Sequence, residues 1–317
     1  MAAKSIKVVF GTAGEFFTKE TAAEVYDVLR ENDVHTLDTA QLYEGKEEII
    51  GLTEGAKRFT IDSKEMGGFR PKTATRDKVV QRGKDSLAKI GTAQLDVFYI
   101  HAPERELPLE DILTGINDLY KSGTFKRFGL SNFKPAEVEE VIKLCKEKGF
   151  VVPSVYQGNY SPVARLQENE LFPLLRKYDM SFYAYSPLAG GFLTKTKEEI
   201  LSKNVGRFRE SRVGAMYLAL YSKPKHLDAL AKWDAIASEH GVGKAEMAYR
   251  WVAYNSPLAN KHGDAIIIGA SRMEQLKESL VWFKKGPLPG SAVKGIQEIW
   301  ETIKDEAGLD NFNLNAN

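Results

Sequence analysis

The sequence predicts an α/β protein, a (β/α)8 TIM barrel that runs through residues 1–317 as a single domain. Three observations predict it. Short apolar runs alternate with amphipathic helical runs about eight times from one end of the chain to the other, and repeated βα units imply a parallel sheet. No low-complexity tract or Pro/Gly/Ser-rich linker divides the 317 residues, a length that a closed barrel fills as one unit. The rival, an open doubly wound sheet that binds a dinucleotide, would carry G-x-G-x-x-G after its first strand, where this chain reads GTAGEFF.

Taken in order, Ile6–Phe10 reads as the first strand and Thr18–Arg30 as a helix capped by Thr18. His35–Leu37 is a short strand that runs into Asp38, and Phe59–Asp62 is one that runs into Ser63 and Lys64. Leu95–Ile100 (LDVFYI) is a buried strand ending at His101, and Phe125–Leu130 ends at Ser131 and Asn132. Ser154–Tyr156 ends at Gln157, Ser181–Ala184 at Tyr185 and Ala265–Ile268 at Gly269. Helical patterns fill the gaps, among them Arg76–Ile90 and Pro135–Lys148. In a parallel barrel the strand ends meet around one mouth, the face that carries the active site. An Asp, a Lys and a His at three consecutive strand ends exceed what the ordinary polarity of loops explains.

Composition excludes several classes. With 44 Lys+Arg against 43 Asp+Glu, there is no basic surplus to attract nucleic acid or an anionic membrane. No segment approaches the roughly 18 apolar residues of a membrane span. The opening MAAKSIKVVFGTAG reads as a strand and not as a signal peptide, so the protein is expected in the cytoplasm. The one cysteine, Cys145, excludes an intrachain disulfide and sits in a helical pattern, VEEVIKLCKEKG, as a small hydrophobe. The five histidines form neither HxH nor HExxH, which argues against a metal site; His35, His226, His240 and His262 read as surface or helix-end residues.

The chemistry follows from the remaining residues. A buried lysine needs a partner, and Asp38 on the adjacent strand supplies one for Lys64. Tyr43, five residues beyond Asp38 in LDTAQLYEG, lies on the loop over the mouth. A free tyrosine ionises near pH 10; a neighbouring ammonium is expected to lower that value and make the phenol a better proton donor. His101 is placed to orient a carbonyl oxygen. No side chain donates hydride, so a nicotinamide cofactor is the economical inference. Ser131, Asn132 and Gln157 are suited to hold a carboxamide, and Tyr185 to stack on a flat ring.

These residues carry a resemblance. The segments LDTAQLYEG, IDSKEMGG, LDVFYIHAPER, FGLSNF, VYQGNYSP, FYAYSPLAGGFLT, VGRF and IIIGASRMEQLKES, in order from about residue 34 to 280, resemble the aldo-keto reductase superfamily. They are most similar to its aflatoxin-aldehyde reductase branch (family 7-like) and the fungal relatives of that branch. The resemblance implies NADPH-dependent reduction of aldehydes or ketones, with Tyr43 as proton donor, Lys64 and Asp38 tuning it and His101 orienting the carbonyl. It implies nicotinamide contacts at Ser131, Asn132, Gln157 and Tyr185, and a pyrophosphate loop at Ser186, Leu188, Gly190 and Leu193. Arg207 is implied as a basic cofactor contact, and Ser271, Arg272, Gln275 and Ser279 as the segment at the adenosine end. The charge of Arg272 there favours a 2′-phosphate, hence NADPH/NADP+ over NADH.

The chain also departs from the family pattern. Ser279 stands where relatives usually have Asn. The tail DEAGLDNFNLNAN has no basic residue after Lys304, which argues against substrates bearing a carboxylate. The segment Thr194–Arg207 looks irregular. Partners expected are a small-molecule carbonyl substrate, neither nucleic acid nor membrane, and a second copy of the chain in a homodimer. A rival class is an NADPH-binding regulatory subunit resembling potassium-channel β subunits; no N-terminal extension or conspicuous apolar patch favours it.

Other motifs have ordinary explanations. GVGKA at Gly241–Ala245 lacks the spacing and the Ser/Thr of a phosphate loop and reads as a helix start. Asn159–Tyr160–Ser161 is a chance sequon, and Gly129–Leu130–Ser131 does not continue as G-x-S-x-G. Phe16 and Phe17 are equally suited to wall a pocket or to pack. Ile296, Ile299, Trp300 and Ile303 form an apolar stripe expected in the core.

Overall fold

In the computed structural model, which describes residues 6–314, eight parallel strands close into a barrel in chain order. The extremes of the two terminal segments read above, residues 1–5 and 315–317, lie outside the described residues. The strands are β1 (Lys7–Gly11), β2 (Thr36–Asp38), β3 (Thr60–Glu65), β4 (Leu95–Ile100), β5 (Phe125–Ser131), β6 (Val155–Asn159), β7 (Ser181–Tyr185) and β8 (Ala265–Ile268). Closure runs from Lys7 opposite Ala265 to Phe10 opposite Ile268.

Helices α1 (Ala22–Glu31), α2 (Lys46–Leu52), α3 (Arg76–Ile90), α4 (Leu109–Lys121), α5 (Pro135–Lys148) and α6 (Leu171–Lys177) fill the first six crossovers. The seventh holds α7 (Lys197–Leu201), α8 (Arg212–Tyr221), α9 (Pro224–Glu239) and α10 (Lys244–Arg250); α11 (Met273–Trp282) and α12 (Gly290–Ile303) follow β8. Among the described residues, no helix is long and apolar enough to cross a membrane.

The strands sort their side chains with period two. Phe10, Ile61, Phe98, Ile100, Phe128 and Leu130 join the large core beneath the helices. Val9, Val97, Tyr99, Val155, Tyr183, Ala265 and Ile267 form a second core inside the barrel. Gly129 is required there: a Cβ at this position would stand 2.2 Å from the Tyr99 ring. The α12 stripe of Ile296, Ile299, Trp300 and Ile303 is buried, as its spacing predicts.

Some sequence readings shift. The first helix begins at Ala22, not Thr18, and its cap is Thr21. The Thr21 hydroxyl donates to Phe16 O at 2.6 Å and accepts from Thr18 N at 3.0 Å, folding residues 16–21 into a turn that delays the helix. His226 is not a surface residue. It lies in the first turn of α9 but is fully buried beside Phe192 and Tyr221, and burial pushes its pKa down to about 4. Phe17 is a packing residue against Phe10 and Tyr26. Cys145 is buried, and burial pushes its thiol up to about 12, which removes it as a nucleophile. Asn159 is buried in β6 and donates to Tyr221 Oη, so its sequon is inaccessible. Lys244 begins α10, as the reading of GVGKA as a helix start predicts. The segment Thr194–Arg207 contains α7, whose N-cap Thr196 and Glu199 form a reciprocal capping box.

Candidate active site

Strand ends deliver the polar residues to one mouth. Asp38 ends β2, Lys64 is next to last in β3, His101 follows β4, Ser131 ends β5 and Tyr185 ends β7. Asp38 and Lys64 are buried, and Lys64 Nζ donates to Asp38 Oδ2 at 2.6 Å and to Thr39 O at 2.7 Å. The second Asp38 oxygen accepts from Gln157 Nε2 at 2.8 Å. The carboxylate is thereby engaged on both oxygens, as a buried anion requires.

Tyr43 stands above this pair. Its loop is tied down at Gln41 N to Lys64 O (3.1 Å), Tyr43 N to Ala40 O (3.0 Å) and Lys46 Nζ to Phe17 O (2.7 Å). Lys64 Nζ lies 5.0 Å from the centre of the Tyr43 ring, and His101 meets that ring edge-on at 5.6 Å. Burial raises the Tyr43 pKa above its ordinary value; Lys64 pulls it down, Asp38 pushes it up and Arg207 pulls it down, but burial prevails. The expected net depression by Lys64 is therefore corrected: the ammonium moderates a rise. Tyr43 stays protonated at neutral pH, and so holds the proton it would donate.

Burial opposes charge on Lys64, but Asp38 and then Tyr43 outweigh it, so the ammonium is held. His101 is driven well below its ordinary value by burial and then by Lys64, so its imidazole is neutral, and its Nδ1 has no partner among the described residues. The strands place a permanent cation and a neutral donor–acceptor ring on two sides of one phenol.

A hydrogen-bonded chain leads away from His101. Asn132 Nδ2 donates to His101 O at 2.8 Å, and Asn132 Oδ1 accepts from Tyr185 Oη at 2.7 Å. Asn132 has φ +61°, a left-handed conformation that asparagine tolerates well. Ser131 is buried within 3.2 Å of the Asn132 amide. Asp38, Tyr43, Lys64, His101, Ser131, Asn132, Gln157 and Tyr185 are thus brought together.

The other predicted contacts form separate pieces. The loop after β7 turns through left-handed positions at Ser186, Ala189, Gly190 and Gly191. Tyr217, which the sequence reading missed, organises it: Ser186 Oγ lies 3.3 Å from its hydroxyl, Arg207 Nη1 donates to it at 2.9 Å, and a Cβ on Gly190 would meet its ring at 2.2 Å. Leu188 packs half-buried, and the Leu193 side chain lies in the core, leaving only its backbone to face a ligand. At α11, Ser271 Oγ donates to Gln275 Oε1 at 2.8 Å, and Arg272 is the exposed N-cap. Ser279 is buried and donates to Gln275 O at 2.7 Å, so its hydroxyl serves the helix backbone.

Sequence reasoning also missed the outer wall. Phe69 meets His101 edge-on at 4.9 Å and Phe312 at 5.2 Å. Arg105 stacks over Phe312 at 5.3 Å, donates to Glu137 and reaches Asn313 Oδ1 at 2.7 Å; Asn313 Nδ2 in turn donates to Asn132 O at 2.8 Å. The residues of this wall are far apart in the chain, so no local pattern announced it.

The arrangement fits a nicotinamide dinucleotide. Among the described residues, Arg207 and Arg272 form no ion pair with a carboxylate, and the left-handed loop at 186–191 lies beside Arg207 through Tyr217. No group of three or more His, Cys, Asp or Glu among the described residues is placed to hold a metal. A surface cavity of about 500 Å³ lies at the opposite end of the barrel, near Lys126 and Ser154, remote from this chemistry.

The sequence pattern of the Aldo/keto reductase family matches residues 7–301. The chain is 36% identical over 315 residues to oxidoreductase sirO of Leptosphaeria maculans, covering 95% of each chain. It is 35% identical to human aldo-keto reductase family 7 member A3, covering 90% of each, and 36% identical to human aflatoxin B1 aldehyde reductase member 2, covering 86% of this chain and 80% of the relative.

Proposed function

The chain belongs to the aldo/keto reductase family and is an oxidoreductase, and on that premise we propose that it reduces aldehydes or ketones to alcohols with NADPH, Tyr43 being the acid. The observation that carries the reading is the buried Asp38–Lys64 pair set beneath the Tyr43 ring with neutral His101 at that ring's edge. A bound nicotinamide supplies the hydride to the carbonyl carbon. The carbonyl oxygen takes its proton from the Tyr43 hydroxyl, helped by the held ammonium of Lys64, which stabilises the tyrosinate left behind. Neutral His101 donates a hydrogen bond that fixes the oxygen's position. Solvent returns the proton to Tyr43.

Ser131, Asn132, Gln157 and Tyr185 would hold the nicotinamide end. The loop at Ser186–Gly191 and Arg207 would hold the pyrophosphate. Arg272 supports NADPH over NADH: a guanidinium without an ion pair among the described residues, at the start of a ten-residue helix, suits a 2′-phosphate. The edge-to-face rings of Phe69, His101 and Phe312, with Arg105 already paired to Glu137, favour apolar or aromatic carbonyl substrates over carboxylate-bearing ones.

The test follows NADPH absorbance with a panel of aromatic and aliphatic aldehydes, beside Tyr43→Phe. Wild-type turnover that falls roughly a thousandfold in the variant, with NADPH affinity kept, is the expected result. Retained turnover in Tyr43→Phe removes the acid assignment. Tight NADPH binding by a wild type that never turns over points to a regulatory subunit.

A further inference from the structure

The reaction described above uses one interior carboxylate, but the barrel holds a second at the same level. Asp62 lies two residues before Lys64 on β3, so both side chains point into the barrel, about 7 Å apart along the strand. It is completely buried. Its Oδ1 accepts from Val97 N at 3.1 Å, while its Oδ2 has no partner among the described residues. The hydroxyl of Tyr99, the residue opposite Lys64 on β4, is likewise buried and without a partner, and Lys64 Nζ lies 5.9 Å from its ring.

A buried carboxylate with a single hydrogen bond and no ion pair is a poor anion. Its charged neighbours are Lys7 from β1, Asp38 from β2, Lys64 on its own strand, Asp96 from β4 and Arg127 from β5. The phenols of Tyr99 from β4 and Tyr183 from β7 also line this interior, and the residues there from β6 and β8, Val155, Ala265 and Ile267, carry no titratable group. Burial raises Asp62 to about 7; Lys7 opposes the rise, Asp96 and Asp38 add to it, and Arg127 opposes it. Lys64 in turn feels the charge of Asp62.

We propose that Asp62 is a positioning residue of the reaction, setting through Lys64 how readily Tyr43 gives up its proton. The proposal rests on the reductase reading with Tyr43 as acid. With Asp62 neutral, the barrel interior sets one carboxylate, Asp38, against the Lys64 ammonium, and the ammonium acts fully on Tyr43. With Asp62 ionised, two carboxylates share one ammonium, its hold on the phenolate weakens, and Tyr43 becomes the weaker acid.

The experiment is the pH profile of kcat for aldehyde reduction in the wild type and in Asp62→Asn, which keeps an acceptor for Val97 N. Wild-type kcat should fall severalfold as pH rises through neutrality and fall again where Tyr43 ionises. In Asp62→Asn the first fall should vanish and the second should begin about one pH unit lower. A variant that keeps the neutral fall, or that loses turnover evenly at every pH as a structural role would have it, overturns the proposal. A second measurement needs no turnover. Carboxyl-carbon NMR of the wild type should show Asp62 titrating near neutrality, and Asp38→Asn should move that midpoint down by removing a like charge. A midpoint that does not move overturns the coupling even if Asp62→Asn fails to fold. Absence of turnover in the wild type would count against the reductase reading, and the NMR shift would still decide for or against the coupling.

Discussion

The two ends of the barrel use the same residue types and put them to opposite ends. At the floor, where the strands begin, Arg127 is paired with Asp96 at 2.7 Å and with Tyr183 Oη at 3.2 Å. Asp264 takes four hydrogen bonds, two from Arg176 and one each from Phe182 N and Ala259 N. At the mouth, Asp38 and Lys64 are just as well matched, but the groups above them are left with bonding capacity in hand. Among the described residues, Tyr43 is only half-buried, His101 has an unpartnered nitrogen, and Arg207 has no carboxylate. A charged cluster whose every donor and acceptor is engaged holds a fold together; one that ends in unengaged groups can act on something else.

Damage at the floor should therefore harm stability and spare chemistry. Asp264→Ala leaves Arg176 and two backbone N–H groups without their acceptor and should destabilise by about 3–5 kcal/mol. Turnover per folded molecule should stay within about twofold of the wild type; a collapse of kcat in the folded variant would erase the distinction. Asp62 lies between the two ends, and its stability should depend on pH. Its folded pKa is raised to about 7, above the unfolded value near 4, so the folded state binds this proton more tightly. Its contribution is therefore complete below about pH 4 and is lost as pH rises through 7. Asp62→Asn should match the wild type in melting temperature near pH 4 and exceed it at pH 8 by the equivalent of about 4 kcal/mol. A pH-independent difference would place Asp62 among the floor residues.

Damage at the mouth should do the reverse. His101→Ala should lower kcat by about a hundredfold and leave the urea midpoint nearly unchanged, since the ring has an unsatisfied nitrogen to lose. The smallest effect belongs to Arg272→Ala, which should weaken NADPH by about tenfold and NADH hardly at all; equal weakening of both would remove the 2′-phosphate assignment.

How far these ends could be read from the sequence depended on the range of the interactions. Leu95–Ile100, Ala265–Ile268, Arg76–Ile90 and Pro135–Lys148 stand as predicted, because a local period sets them. The polar residues at the mouth were visible because each follows an apolar strand. Asp62 is legible too, since a two-residue step from Lys64 fixes its direction, although its local pattern marks only the end of a strand. Phe69, Phe312 and Tyr217 were not legible: their roles come from contacts between crossovers and tail that no local pattern encodes. The sign of the shift at Tyr43 failed for the same reason, because how far its ring is buried depends on the whole fold.

The long reach of the wall also orders the protein's synthesis. Asn313 bonds to Asn132 across 181 positions and to Arg105 across 208, and β1 finds its second neighbour only when β8 appears. A chain emerging from the ribosome therefore carries an open-edged sheet until β8 has been made. The pocket wall is incomplete until Phe312 and Asn313 have followed the eighth strand. A nascent chain can have every one of Asp38, Tyr43, Lys64 and His101 in hand and still lack the surface that would close over a substrate.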